Sequence, residues 1–221
     1  MFANSVYASV DVSGFDTSSV VNMSGMFNRC GVGMEKLTIK GISSLNTSKV
    51  TDMSSMFEYS YVTMDDLKNL DTSNVTNMAF MFYYCKFEEF NLPNLRTNKA
   101  TKMNGMFSGC RFESLSLPSF TTDQVVDMGT MFAYCNNLKT LDLSSFVTSS
   151  VTNFKWMFSD CPNLQTIIAD FDISSVQSGS GSDYGGFRAF YNCKSLPDYS
   201  EYSCDISYKD RYLTSPDGGE E

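Results

Sequence analysis

Seven cysteines carry the most reactive side chains of this 221-residue chain, because a thiolate can bind zinc, attack an electrophile or form a disulfide. Most of them recur at a regular interval, in a series that includes one serine: Cys30, Ser60, Cys85, Cys110, Cys135 and Cys161. That serine and the lack of histidine argue against a metal site or a disulfide ladder. We therefore expect buried free thiols, with Cys193 and Cys204 the pair that would oxidise most readily in a secreted protein.

Catalysis has little support in the composition. The chain has no histidine, which is the commonest general base and the usual partner of a serine or cysteine nucleophile. The enzyme class closest in pattern is a parallel β-helix that cleaves acidic polysaccharide, and its site would need clustered carboxylates beside a lysine or arginine. Glu89, Ser114 and Thr140 hold equivalent positions and do not provide that cluster. The sequence predicts no enzyme, no catalytic residue, no cofactor and no metal.

The spacing of the cysteines belongs to a repeat that runs through most of the chain. Met-Phe pairs follow one another at steps of 30, 25, 25, 25 and 26 residues. The pairs are Met26-Phe27, Met56-Phe57, Met81-Phe82, Met106-Phe107, Met131-Phe132 and Met157-Phe158. Apolar residues stand three and six positions before most of the methionines, and the cysteine or serine stands three positions after each phenylalanine. This ladder predicts that the same columns of side chains are buried in every repeat.

Residues 135–161 show two periodicities within one repeat. Leu141 and Leu143 alternate with polar residues, which is typical of a strand buried on one face. Val151, Phe154 and Met157 recur every three residues, which favours a short α or 3-10 helix. Each coil is therefore predicted to hold one short strand and one short helix, and a Thr/Ser cluster such as residues 71–74 would cap the helix.

Stacking of these units gives the predicted fold. One repeat cannot bury its own apolar face, but repeats stacked at the strand spacing of about 4.8 Å share a core and a parallel sheet. We predict a leucine-rich-repeat-like solenoid of about eight coils over residues 1–200, with a loop insertion at about 177–186. Residues 201–221 would form a C-terminal cap and an acidic tail.

The repeat also resembles a known family. The unit D-T-S-x-V-T-x-M-x-x-M-F-x-x-C-x-x-L-x-x-L-D-L, clearest in residues 71–85 and 135–161, is similar to BspA-like leucine-rich repeats and to the related Mycoplasma-type surface-protein repeats. Six aligned copies carry the resemblance, which covers nearly the whole chain. The family implies cell-surface or secreted proteins that adhere to host proteins or to other cells, and it implies no shared catalytic residues.

Two sets of outer side chains are candidate partner-binding residues. The first set lies on the outer face of the predicted strands and comprises Glu89, Asn91, Ser114, Ser116, Thr140 and Asp142. The second set stands just before the cysteine position and comprises Tyr59, Tyr84 and Tyr134. Ordinary solvation is the alternative explanation for the first set, and packing against a neighbouring turn is the alternative for the second.

The charge narrows the choice of partners. A formal net charge of −9 disfavours nucleic acid and anionic lipid, and no stretch approaches the roughly 18 apolar residues of a membrane-spanning helix. We therefore expect an adhesin-type module that binds a host matrix or cell-surface protein, as a fragment of a longer surface or secreted protein without its own signal peptide. A passive spacer is the alternative, and a carbohydrate-binding or polysaccharide-cleaving β-helix is a more distant one.

Overall fold

Short parallel strands stack along the chain. The computed structural model describes residues 2–7, 9–31, 38–63, 67–68, 70–92, 95–177 and 181–216. Its strands are β1 Ser9–Asp11, β2 Thr38–Lys40, β3 Ser114–Ser116, β4 Thr140–Asp142, β5 Thr166–Ile168 and β6 Leu213–Thr214. β1 pairs with β2, and β3 to β6 form a second parallel sheet in chain order. Leu115, Leu141 and Ile167 lie opposite one another in the register. The predicted parallel sheet of a β-rich repeat protein is therefore confirmed.

The prediction of a strand around Glu89 and Asn91 is wrong. Within residues 87–92, which are all described, the backbone forms no strand. Phe90 stands where Leu115 stands one repeat later, and its ring packs edge-on at 4.9 Å from the Phe107 ring. The bulkier phenyl side chain packs on the Phe107 ring where β3 has Leu115, and the backbone around it does not pair with β3.

The predicted helix in each coil is also wrong, because consecutive β-turns take its place. In the repeat at Met78–Cys85, the amide of Met81 donates to the carbonyl of Met78 at 3.2 Å, and Cys85 donates to Phe82 at 3.0 Å. Phe80 and Tyr84 have positive φ values of 57° and 53°, which no regular helix permits. The turns are of the kind that needs a left-handed third residue.

Bonds between coils explain why no helix forms. The amides of Met78, Phe80, Phe82 and Tyr84 donate to carbonyls of the following coil at 2.7–3.1 Å. An α-helix would use those amides within itself and leave the neighbouring coil unpaired. A five-membered series of isolated parallel bridges runs beside these bonds, from Asn22 to Asn153. The turn segments therefore form a second hydrogen-bonded ladder along the solenoid.

The Thr/Ser cluster has a different role from the predicted helix cap. Thr72 is 1% exposed, and its hydroxyl donates to the Arg96 carbonyl of the next coil at 2.8 Å and accepts from the Arg96 amide at 2.7 Å. The Asp71 carboxylate instead accepts a hydrogen bond from the Ser73 amide at 2.9 Å, which closes a local turn. The same threonine is buried in each coil of the series Thr17, Thr47, Thr72, Thr97, Thr122 and Thr148.

A column of stacked rings forms the centre of the core. Neighbouring ring centroids lie 5.3–5.9 Å apart, with planes inclined by at most 18°. The column contains Phe2, Phe27, Phe57, Phe82, Phe107, Phe132, Phe158 and Phe190. Methionine, leucine and cysteine columns of the repeat are buried around it, as the sequence predicts.

The C-terminal segment closes one end of the stack. It contains 3-10 turns at Gly181–Asp183 and Ile206–Tyr208, the short helix α1 Lys209–Tyr212, and β6, which extends the sheet beyond β5. Another 3-10 turn lies at Ile42–Ser44. The Tyr212 ring lies 5.0 Å from that of Phe190, at the end of the ring column. The predicted acidic tail at 217–221, and residues 178–180 of the predicted loop insertion, lie outside the described residues.

Among the helices that the structure describes, none has the length and apolar character needed to cross a bilayer.

Candidate partner-binding surfaces

The three candidate tyrosines occupy equivalent left-handed positions of the turn ladder. Tyr59, Tyr84 and Tyr134 have φ values of 54°, 53° and 59°. The amide of Tyr59 donates to Tyr83 and that of Tyr84 donates to Ser108, so Tyr59 and Tyr84 stand on successive coils, and Tyr134 stands two coils beyond Tyr84. Tyr84 is 36% exposed and Tyr134 is 45% exposed. The turn geometry thus directs one variable side chain per coil to the outside.

Two of these tyrosines are already ordered by stacking. The Tyr59 and Tyr84 rings lie 5.1 Å apart with an interplanar angle of 16°, and Tyr83 packs edge-on against both. Burial is the main cause that raises the pKa of Tyr83 to about 12, and it also raises the pKa of Tyr84. Both phenols therefore remain neutral donors at physiological pH.

Aromatic side chains dominate this side of the solenoid. Phe80 contacts Tyr83 at 5.5 Å, and Trp156, which is 37% exposed, holds the equivalent position to Phe80 three coils later. We call this surface the aromatic face, and it consists of Tyr59, Phe80, Tyr83, Tyr84, Tyr134 and Trp156. Some of these tyrosines also pack against neighbouring turns, since Tyr59 and Tyr83 are half-buried. Tyr84 and Tyr134 retain enough exposed ring to touch a partner.

A glycine interrupts the tyrosine series. A Cβ added to Gly109 would lie 2.5 Å from Cδ2 of Tyr84, so the Tyr84 ring lies in the space that a side chain at 109 would fill. Beyond it lies a concavity between Tyr84 and Tyr134, which we call the tyrosine slot. Its other lining residues are Gly109, Cys110, Arg111, Asn136 and Asn137.

The strand face brings four of its six candidates together. Ser114 lies opposite Thr140 and Ser116 opposite Asp142, where the Ser116 hydroxyl donates to Oδ2 of Asp142 at 3.0 Å. The amide of Ser144 also donates to Asp142, and these bonds lower the pKa of that carboxyl. Asp142 is half-buried and its oxygens already accept these bonds, so it offers little to a partner.

A second concavity joins the strand face to the tyrosine slot. It is lined by Glu88, Glu89, Arg111, Glu113, Ser114 and Asn137, and so shares Arg111 and Asn137 with the slot. Glu113 pairs with Lys139 at 3.0 Å on the exposed surface. Glu89 thus contributes to a candidate surface although it lies on no strand, whereas Asn91 is exposed and lines neither concavity.

Sequence reasoning missed Gly109, Arg111 and Asn137, which together form much of the slot. Gly109 could have been found, because it stands where the neighbouring repeats have Tyr84 and Tyr134. A third concavity, around Trp156, Asp160, Arg188 and Tyr191, was missed as well. There the Arg188 guanidinium lies 4.7 Å from the centroid of the Tyr191 ring.

The cysteine column consists of buried free thiols, as predicted. Each thiol donates to the phenylalanine carbonyl of the preceding coil, as in Cys110 to Phe82 at 3.2 Å and Cys161 to Phe132 at 3.0 Å. Ser60 makes the same bond to Phe27 through its hydroxyl. Burial raises the pKa of Cys110 and Cys161 well above the ordinary value, so these thiols are not activated nucleophiles.

Cys193 and Cys204, the pair expected to oxidise first, are free and buried in this structure. Burial raises the pKa of Cys193 to about 12. Among the described residues, no group of three or more histidine, cysteine, aspartate or glutamate side chains could hold a metal ion.

Parallel strands, stacked turns and buried residue columns define a β-rich repeat protein. The family described as "Mycoplasma protein of unknown function, DUF285" matches residues 1–115 and 86–194, and the chain belongs to that family. The predicted Mycoplasma-type repeat is thereby confirmed, whereas the BspA-like leucine-rich-repeat assignment stays a prediction. No curated protein and no solved structure matches the chain.

Proposed function

We propose that the chain is a non-catalytic, adhesin-type module of a cell-surface or secreted protein and binds a host matrix or cell-surface protein through its aromatic face. The observation that carries this proposal is the exposure of Tyr84, Tyr134 and Trp156 on stacked turns along one side of the solenoid. Repeated residues of the coil are used in the core, so these variable aromatic positions are free to serve binding.

Physical properties of the aromatic face favour a protein partner. Tyrosine and tryptophan bury a large area on binding at little cost in conformational entropy, and they are enriched among residues that dominate binding energy. Stacking of Tyr59 on Tyr84 orders part of the face before a partner arrives. The net charge of −9 works against nucleic acid and anionic membranes as partners.

The finer architecture is part of the same proposal. The eight phenylalanines of the ring column suit about eight coils, and one short parallel strand per coil suits a leucine-rich-repeat-like solenoid of the BspA type. Such a stiff stack would present the aromatic face without a large rearrangement on binding.

A binding screen tests the proposal. The full chain is immobilised and exposed to a panel of purified matrix proteins and cell-surface ectodomains. A triple variant, Tyr59→Ser with Tyr84→Ser and Tyr134→Ser, should bind any partner found at least about tenfold more weakly, because three ring contacts are lost together.

The matched control carries the same three changes at exposed tyrosines outside the aromatic face: Tyr7→Ser, Tyr202→Ser and Tyr208→Ser. It should retain the affinity of the unmodified chain. If the control loses as much affinity as the triple variant, the aromatic face is not the binding surface.

Two alternatives correspond to other outcomes of the screen. If no protein binds, the module is better explained as a passive spacer, for which the stacked core alone is sufficient. Signals on a glycan array that vanish in the Tyr84→Ala and Tyr134→Ala variants, without any protein binding, would replace the proposal by carbohydrate recognition.

A further inference from the structure

The tyrosine slot is a gap in a column of flat groups. At one end of this column, the Arg29 guanidinium lies 4.6 Å from the Tyr59 ring centroid, and Tyr84 stacks on Tyr59 at 5.1 Å. Gly109 then contributes no side chain, and Tyr134 follows one coil later. The side chain absent at 109 leaves a concavity between Tyr84 and Tyr134, and the Tyr84 ring leans into part of that space.

The width of the gap suits a single planar group. Neighbouring parallel strands are about 4.8 Å apart, so two coil steps separate the Tyr84 and Tyr134 backbones by roughly 10 Å, and the lean of the Tyr84 ring over Gly109 makes the space between the rings narrower than this. A flat group between the two rings would lie within about 5 Å of each, in the range of the 4.6 Å between Arg29 and the Tyr59 centroid. The slot therefore has room for one layer.

The same side of the molecule already binds guanidinium groups. Arg29 stacks on Tyr59, and Arg188 lies 4.7 Å from the Tyr191 centroid and 5.2 Å from that of Phe187. Guanidinium is planar and weakly hydrated, so it stacks on aromatic rings more readily than a lysine ammonium. Tyr59 and Tyr191 thus each contact an arginine within this chain, and the Tyr61 ring contacts the Lys86 ammonium at 4.0 Å.

Among the described residues that line the slot, Arg111 is the one charged side chain, and the carboxylates that attract a cation lie beside it. Glu88, Glu89 and Glu113 line the adjoining concavity, and Asp160 follows Tyr134 in the column. Arg111 is the one cationic side chain among the residues that line the two concavities, and Lys139 is paired with Glu113. Carboxylates therefore outnumber the cations beside the slot, within a chain of net charge −9.

We propose that the tyrosine slot binds the guanidinium of an arginine presented by a protein partner, held between the Tyr84 and Tyr134 rings above Gly109. This inference rests on the proposed function, since it names the side chain by which a protein partner would engage the aromatic face. The carboxylates of the adjoining concavity contribute attraction at longer range.

A peptide titration tests the slot directly. The full chain is titrated with Ac-Gly-Gly-Arg-Gly-Gly-NH2, and the tyrosine ring signals are followed by NMR. Matched probes replace the arginine by lysine or by citrulline, which keeps the planar shape and removes the charge. The arginine probe should bind at least about threefold more tightly than either, because only it is both planar and cationic.

Variants of the slot provide the control. Tyr134→Ser should weaken binding of the arginine probe at least about threefold, since one of the two rings is lost. Gly109→Ala should do the same by displacing the Tyr84 ring, and other residues already occupy this left-handed position in neighbouring coils. Tyr202→Ser, at a tyrosine that is 95% exposed, should leave binding unchanged. Thermal melts verify that each variant is folded.

Equal binding of the three probes would overturn the proposal, as would full affinity in both Tyr134→Ser and Gly109→Ala. Binding of cellobiose in preference to the arginine probe would also overturn it in favour of a sugar ring. If a protein found in the binding screen still depends on the aromatic face while the arginine probe fails, only the slot proposal is lost. If the screen finds no protein but the arginine probe binds at the slot, the slot stands and the adhesin proposal fails.

Discussion

Small polar side chains inside the coil act as hydrogen-bond donors between repeats. The Cys110 thiol donates to Phe82 and the Thr72 hydroxyl donates to Arg96, each across a coil boundary. Each donor links its coil to a carbonyl of a neighbouring coil, and the Phe82 carbonyl accepts the Cys85 amide as well. The sequence revealed which residues recur, but it did not reveal these partners, because the partners are backbone atoms and carry no sequence signal.

Replacement of Cys110 tests the role of the thiol. Cys110→Ser should lower the free energy of unfolding by about 1 kcal/mol less than Cys110→Ala does, because the hydroxyl keeps the bond between coils to the Phe82 carbonyl, which also accepts the Cys85 amide. Ser60 makes the equivalent bond to Phe27. Urea denaturation of the two variants measures the difference. Equal destabilisation would show that the thiol contributes only by filling space.

Thr72→Val tests the buried threonine. The change keeps the shape and removes both bonds to Arg96, so it should cost about 1–3 kcal/mol in unfolding free energy. Thr76→Val is the matched control in the same coil, because Thr76 is exposed and Val21 and Val126 hold its position in other coils. Its effect should stay within about 0.5 kcal/mol. A similar cost for both variants would contradict a special role of the buried hydroxyl.

At the scale of the element, the repeat period predicted the core but not the local conformation. Apolar residues every three to four positions fit a helix. The same spacing arises in consecutive turns, in which backbone hydrogen bonds within the coil alternate with hydrogen bonds to the next coil. The left-handed residues Phe80 and Tyr84 gave no sequence warning, because glycine is the usual signal for such a position. Gly25 and Gly105, at the position of Phe80 in other coils, are the clue that was available.

Ser55→Gly tests the turn conformation. Ser55 has a φ of 54°, and the equivalent Gly25 and Gly105 have φ values of 61° and 65°. Removing the side chain should relieve the left-handed strain and raise the unfolding free energy by up to about 1 kcal/mol. Ser55→Val should lower it by at least about as much, since a branched side chain is strained further. Opposite signs in denaturant unfolding are expected, and destabilisation by glycine would argue against this conformation in solution.

At the scale of the molecule, contacts reach mainly from each coil to its two neighbours. The Phe107 amide donates to Met131 at 3.0 Å in the middle of the stack, and the Phe2 amide donates to Met26 at 2.9 Å at its start. The two hydrogen bonds have similar lengths, but a stack of repeats unfolds from its ends. The Phe2 amide should therefore exchange with solvent at least about tenfold faster than the Phe107 amide. Native-state hydrogen exchange measures both amides. Equal protection would show that the chain opens only as a whole.

Variation in repeat length is absorbed away from the ring column. The step from Phe27 to Phe57 contains 30 residues and that from Phe158 to Phe190 contains 32, yet the ring separations of 5.6 and 5.3 Å resemble the 5.9 Å found where the step is 25. The spacing of the ring column therefore does not depend on the number of residues in the step. In evolutionary terms, coils can be duplicated, deleted or lengthened in the gene while the protein still folds. The exposed residues of each coil can then diversify.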